Sequence, residues 1–365
     1  MTNNTSAVEL RARALAVLAE YNKYVYGYEH IGAGLLIASI SGGICHILAE
    51  GVPGLAKTHS VKTMAHCISD MSFVRVQFTP DMMPKEITGT KVIDLESRQS
   101  HIDWGPIFGK NFVLADEINR GKTNVQSALL EPMAEGQGTV AGSTRKVENP
   151  FVVMATQNPI EQEGTNPLPE AQHDRFLFKF IYDYASLEDE LKILENPALA
   201  NLDYTTIKPQ MSKDELLAAR DYVANNINVS RTFNEYLLKV CRATRPGSDE
   251  FKELCSRAPE VAEILNLVKV GVSPRALQGL QRACKVNAFL FGKTKSGESR
   301  DYVMPSDLKG SDDTLKLAHA VLRHRIIMKE EANYRKGGKI SSEQVIDAVL
   351  SHIFPIDDES AYSKR

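Results

Sequence analysis

The chain has 365 residues, 43% of them hydrophobic and 24% charged, with a formal net charge of −3. That length allows two or three domains with sizeable cores. The near-neutral balance excludes a globally basic binder of nucleic acid or acidic membrane, leaving room only for a local patch. The five cysteines lack C-x-x-C spacing and the nine histidines form no metal-ligand cluster, so buried thiols in a reducing compartment are expected rather than a disulfide or zinc scaffold. The start, MTNNTSAVEL, lacks a basic end followed by an apolar run, so no signal peptide is expected. The most apolar stretch, residues 31–51, is broken by Gly42-Gly43 and His46. It reads as a buried helix and strand, not a membrane span, and the protein as cytoplasmic.

In chain order, residues 8–24 and 30–41 have helical apolar spacing. ICHILAEG, residues 44–51, is a short apolar run of the kind buried strands show. A helix is expected from Lys57 through residue 69, and FVRVQF at 73–78 alternates like a strand. Further apolar runs at 111–117, 150–159 and 175–182 end in polar residues. Strands separated by helical stretches predict an α/β fold, a mostly parallel sheet with helices on both faces, over residues 1–185. From 186 to 365 the segments 186–196, 212–226, 231–243, 250–268, 273–292, 314–328 and 341–353 all read as helices, which predicts a second, helical domain. Two polar loops interrupt it, at 293–305 and 334–339. The stretch 293–313 is read as a solvated loop.

EGVPGLAKTHS, Glu50–Ser60, follows the first buried strand. It fits the phosphate-loop pattern G-x-x-x-x-G-K-[ST] at Gly51, Lys57 and Thr58, with a further glycine at Gly54, but carries Ala56 where the pattern has glycine. Such a loop turns backbone N–H groups inward, a lysine reaches the β and γ phosphates, and a hydroxyl ligates magnesium. A small side chain at 56 still lets a phosphate approach, with strain only if the residue needs positive φ. FVLADE places Asp116 and Glu117 at a buried strand end, where adjacent acids are costly unless a metal or a reaction uses them. Asp116 is then a candidate for holding magnesium through water and Glu117 for polarising the attacking water. Asn158, ending the third apolar run, can orient water or meet the γ-phosphate. Arg175 and Arg275 are candidates for neutralising transition-state charge.

The order of these phrases resembles the MoxR family of AAA+ ATPases over nearly the whole chain. EGVPGLAKT, VQFTPDMMPKEITGT, GPIFGKNFVLADEINR, VMATQNPIEQEGTNPLPEAQHDRFLFK and GVSPRALQGL carry the match. The resemblance implies a P-loop AAA+ core followed by an all-α lid, binding ATP with Mg2+. It makes Gly51, Pro53, Gly54, Leu55 and Ala56, with Lys57, Thr58 and His59, the Walker A loop, and Asp116 and Glu117 the Walker B pair. Asn158 matches sensor 1, Arg175 an arginine reaching a neighbour's nucleotide, and Arg275 sensor 2. Tyr26 and Gly27, in YVYG, fall where relatives hold the adenine. A helix-2 insert hairpin is expected at 85–108 around the turn LESRQS, and a pre-sensor-1 hairpin at 136–149. Trp104 packs the first or touches a client.

Two departures stand near an expected subunit interface: GKTNVQ at 121–126, and EPM at 131–133, which puts a proline where a helix would continue. The implied function is a chaperone-like ATPase in a ring, expected to be hexameric. Its partner would be a separate protein with a von Willebrand factor A domain, for complex maturation or metal insertion. A metal-chelatase motor subunit would share that mechanism. A nucleotide-gated scaffold with very slow hydrolysis is an alternative. A nucleic-acid motor fits poorly, because the hairpins carry mixed charge and no aromatic row.

Overall fold

A computed structural model describes residues 6–43, 45–94, 99–159, 165–309, 315–334, 338–356 and 358–363. Most of the expected turn at 95–100, the end of the 293–313 stretch and part of the loop at 334–339 lie outside the described residues. The chain divides into two compact units, one of residues 1–176 and 180–220, the other of 177–179 and 221–365. Residues 186–220, read as helical-domain sequence, therefore cluster with the first unit.

In the first unit, α1 (Ala7–Tyr21) starts at Ser6, whose hydroxyl accepts the Glu9 N–H at 3.2 Å. Next come α2 (Glu29–Ser41), β1 (His46–Glu50), α3 (Lys57–His66), β2 (Phe73–Gln77), β3 (Phe112–Asp116), α4 (Thr123–Glu135), β4 (Val152–Gln157) and β5 (Phe176–Ile181), whose residues 177–179 cluster with the second unit. The strands form one sheet in the order β5–β1–β4–β3–β2, and β1, β4, β3 and β2 run parallel. In β1, β3 and β4 every residue but the last is buried, whereas the edge strand β2 is mostly half-buried. Burial on both faces explains the continuous apolar runs in the sequence. Val113, Ala115, Val153 and Ala155 pack in one core with Val125, Leu129 and Leu130 of α4.

A buried imidazole fastens this core. His46 Nδ1 accepts the Val153 N–H at 3.1 Å, and its Nε2–H donates to the Met133 carbonyl at 3.0 Å. Both partners are backbone groups of fixed polarity, so the tautomer is set by its surroundings. Burial pushes the pKa down to about 4.

Several expectations change. α4 runs through Pro132 instead of stopping there. The proline sits in the last turn, where Gly136, at positive φ, closes the helix by donating to the Pro132 carbonyl at 2.9 Å. Both hairpins form: Gly89–Ile93 with Ser100–Trp104, and Gln137–Val140 with Ser143–Lys146. The second turns through Ala141 and Gly142, both at positive φ, as a two-residue hairpin loop requires. Trp104 packs edge-on against Phe108 at 4.8 Å, at the margin of the core, which is the packing role.

Further along the chain are α5 (Leu187–Glu195) and α6 (Lys213–Asn226), the latter containing the division between units. In the second unit, α7 (Arg231–Ala243) and α8 (Pro274–Phe291) are capped by the Ser230 and Ser273 hydroxyls, and α9 (Ser342–His352) by a Ser341–Gln344 capping box. The helix expected at 250–268 is two, Asp249–Arg257 and Pro259–Leu265. Pro259 lacks an N–H and keeps Ala258 out of the helical region. Val268–Val270 pairs antiparallel with Ile327–Met328, strands where only helix was expected. The stretch beyond Lys293 is not simply solvated. Arg300 and Asp307, about 4% and 2% exposed, pair at 2.8 Å, and Asp307 also accepts from Asn287 and the Met304 N–H. Burial raises the Asp307 pKa, while Arg300 opposes the rise.

Two outcomes follow. His46 is depressed when folded, so the unfolded chain binds more protons between about pH 6.5 and 4. Its contribution is complete above that window and is lost as pH falls through it. In urea titrations, the stability difference between wild type and His46→Gln is expected to shrink by about 3 kcal/mol from pH 7 to pH 4. Asp307→Ala, which strands a buried guanidinium, is expected to cost about 3–5 kcal/mol by the same measurement, and the double change Arg300→Met with Asp307→Leu to recover most of it.

Candidate active site

Three strand ends build the site. β1 runs into Gly51, β3 into Glu117 and β4 into Asn158. A cavity of about 380 Å³ is lined by residues 53–59 together with Arg75, Asp116, Glu117 and Asn158. Most of the sequence candidates therefore converge on one cavity.

Gly51 anchors the loop. Its N–H donates to the Gln157 carbonyl at 3.1 Å, and a Cβ here would lie 2.6 Å from the Tyr182 carbonyl oxygen, which excludes any larger residue. Ala56, immediately before α3, does adopt positive φ, at 53°. The glycine of the general pattern serves this conformation, and alanine carries roughly 1 kcal/mol of strain to reach it. α3 then begins at Lys57, so its unpaired N–H groups face the cavity, an arrangement that favours anions. Lys57 is half-buried and bonds the Gly51 carbonyl. Burial lowers its pKa; Asp116, Glu117 and Glu50 pull it back up.

The acids are held by neighbouring strands. The Asp116 carboxylate accepts the Thr156 hydroxyl at 2.6 Å and pairs with Arg75 at 2.6 Å. Glu117 sits at φ 54°, in the left-handed region that costs a non-glycine residue energy and concentrates at functional sites. Its N–H donates to Thr156 Oγ1 at 2.8 Å, and its carboxylate takes the Gln77 amide at 2.8 Å and Arg120 at 3.1 Å. Sequence reading passed over Arg75, Gln77, Arg120 and Thr156. The sequence shows only that Arg75 and Gln77 alternate onto one face of β2; their place beside the acids comes from the pairing with β3, which sets Gln77 in register with Asp116.

His59 ties the cavity to its flanks. Its Nε2–H donates to the Tyr24 carbonyl at 2.8 Å, and its Nδ1 accepts the Tyr204 hydroxyl at 2.7 Å. Burial lowers its pKa, which keeps the ring neutral near pH 7. Tyr26 and Gly27 lie just beyond Tyr24 and do not line the cavity; Gly27 adopts φ 79° and donates to Glu29 at 3.2 Å. Arg175 lines a second cavity of about 280 Å³ with Ser127, Glu131 and Gln172, and donates to the Leu130 carbonyl at 2.5 Å. Arg275 belongs to the second unit, in the first turn of α8. Thr58 and Asp116 offer a hydroxyl and a carboxylate to the same cavity, the hard oxygen donors that Mg2+ takes.

Comparison with known proteins agrees with this geometry. Residues 46–178 match the model of the ATPase family associated with various cellular activities (AAA), and residues 266–349 match an AAA lid domain. The chain is 37% identical to Chaperone MoxR1 of Mycobacterium tuberculosis, over 92% of this chain and 80% of that protein. It is 29% identical to Protein MoxR of Paracoccus denitrificans, over 97% and 98% of the two chains. A crystal structure from Cytophaga hutchinsonii superposes with a TM-score of 0.80 at 38% identity, covering 96% of both chains. The chain belongs to the MoxR family of AAA+ ATPases, with an α/β nucleotide-binding core and a helical lid.

Proposed function

We propose that the chain hydrolyses ATP to ADP and phosphate within an oligomeric ring, and that the cycle drives a chaperone-like action on a partner protein. The supporting observation is the convergence of Lys57, Thr58, Asp116, Glu117 and Asn158 on one cavity at the carboxyl ends of parallel strands. Lys57 and the first N–H groups of α3 bind the phosphates. Mg2+, held by Thr58 and Asp116, would neutralise charge on the β and γ phosphate oxygens. Glu117 takes the proton of the attacking water, and Asn158 orients that water against the γ-phosphate. The chemistry needs mostly positioning and charge stabilisation.

Arg175 lines a cavity apart from the phosphate loop of its own subunit, which supports a role on a neighbour's nucleotide and hence a ring, hexameric in this reading. The Mycobacterium tuberculosis relative is named a chaperone, in keeping with action on another protein. The family resemblance makes that partner a separate protein with a von Willebrand factor A domain, met in the cytoplasm. Among the described residues no helix is long and apolar enough to cross a membrane.

The test is ATP turnover per subunit at rising protein concentration. Wild-type turnover is expected to rise with concentration. Lys57→Ala is expected to lose nucleotide binding, and Glu117→Gln to keep binding while losing about 10²- to 10⁴-fold in rate. Arg175→Ala is expected to lose turnover and to regain it partly when mixed with Lys57→Ala subunits. A flat rate with active Arg175→Ala would overturn the ring mechanism. Tight binding with no wild-type turnover would favour the nucleotide-gated scaffold.

A further inference from the structure

Gln126 closes the departure GKTNVQ and is fully buried near the start of α4. Its amide nitrogen donates to three backbone carbonyls, of Asn166 at 2.7 Å, Gly121 at 3.0 Å and Ile118 at 3.2 Å. Two N–H bonds are thus shared among three acceptors, and exchanging the amide's nitrogen and oxygen would set an oxygen against all three. Ile118 begins the short turn Ile118–Arg120, which leaves Glu117, and Gly121 follows it. Within that turn the Asn119 carbonyl accepts the Asn166 N–H at 2.6 Å, so Asn166 is held by both of its backbone groups. Gln126 Oε1 is itself buried and accepts no hydrogen bond among the described residues, a state that native cores rarely keep. The donors of this side chain are what the position uses.

Those donors act beside a strained residue. Glu117 stands at φ 54°, a conformation that persists only where its surroundings over-determine it. Thr156 holds the Glu117 N–H, and Gln126 holds both ends of the turn that follows. We propose that Gln126 is a positioning residue for hydrolysis. By clamping residues 118–121 it sets where the Glu117 carboxylate meets the attacking water, and it ties that turn to Asn166, in the segment after Asn158. Gln126 does not line the nucleotide cavity and acts only through these neighbours. The inference rests on the ATP-hydrolysis reading above and deepens it.

The experiment compares ATP turnover and binding of the fluorescent nucleotide mant-ADP by the full chain for wild type, Gln126→Met and Gln126→Glu, with thermal melts to confirm folding. Gln126→Met, of similar length but without donors, is expected to lower kcat about 10- to 100-fold, because a displaced carboxylate meets the water poorly. KM and mant-ADP affinity are expected to stay within about threefold of wild type, since the clamp makes no bond to Lys57, Thr58 or Asp116. Gln126→Glu is expected to fall between, because burial favours its protonated form, which keeps one donor. Its turnover relative to wild type is expected to rise as pH falls from about 8 to about 6, a response that lost packing alone would not give. A folded Gln126→Met with wild-type kcat overturns the proposal. So does a parallel loss of mant-ADP binding, which would make Gln126 a support of the whole site. Hydrogen exchange reports on the clamp without turnover: peptides carrying residues 118–121 and Asn166 are expected to exchange about tenfold faster in Gln126→Met. Unchanged protection there overturns the clamp, whereas a wild type that binds nucleotide without turning it over counts against the hydrolysis reading instead.

Discussion

Strands buried on both faces can carry polar chemistry only where they leave the sheet, and the molecule is organised by that constraint. β1, β3 and β4 are buried up to their last residues, Glu50, Asp116 and Gln157, and apolar there except for His46 and Thr156, which are hydrogen-bonded. The next residues in the chain are Gly51, Glu117 and Asn158. Three elements distant in sequence thus deliver a loop, an acid and an amide to neighbouring points, because their parent strands are adjacent in the order β1–β4–β3. Parallel register brings the ends out together, and the right side chains need only follow the last buried position.

The same sheet disciplines the charges it gathers. Thr156, one residue before the end of β4, contacts both members of the acid pair, through the Asp116 carboxylate and the Glu117 N–H. β2 contributes from the other side through Arg75 and Gln77. The Asp116 carboxylate is thus bracketed by the strands on either side, and that of Glu117 by β2 and Arg120, which fixes their directions before any ligand arrives. Such preorganisation reduces the reorganisation needed when charge develops.

Much of this was legible in the sequence, and for identifiable reasons. Double-sided burial writes itself as unbroken apolar runs, so the inner strands and their polar terminators could be read directly. The helical segments expected at 231–243 and 273–292 form as α7 and α8, capped by Ser230 and Ser273. What escaped depended on partners far along the chain. Arg75 looks like any outward residue of an edge strand until β3 is placed beside it. Arg300 and Asp307 sit in a polar run whose composition suggests solvent, and only their mutual neutralisation allows burial. Pro132 reads as a helix breaker, yet α4 carries it in its last turn and ends only three residues later, at Glu135, before Gly136 closes the helix. The short pair Val268–Val270 and Ile327–Met328 borders or lies within segments with helical spacing, too short to stand out as strands until they pair.

The alanine at position 56 has a consequence of a different kind. A glycine there would reach the left-handed region without strain but would also sample many other conformations. Alanine forfeits that freedom while the chain is still unfolded, so the shape of the loop is settled as β1 and α3 assemble. A ligand then meets a surface whose disorder has already been spent. The empty and filled loops should consequently differ little in backbone entropy, and discrimination between phosphate-bearing ligands should fall to charge and contact rather than to how readily the loop can be ordered around them.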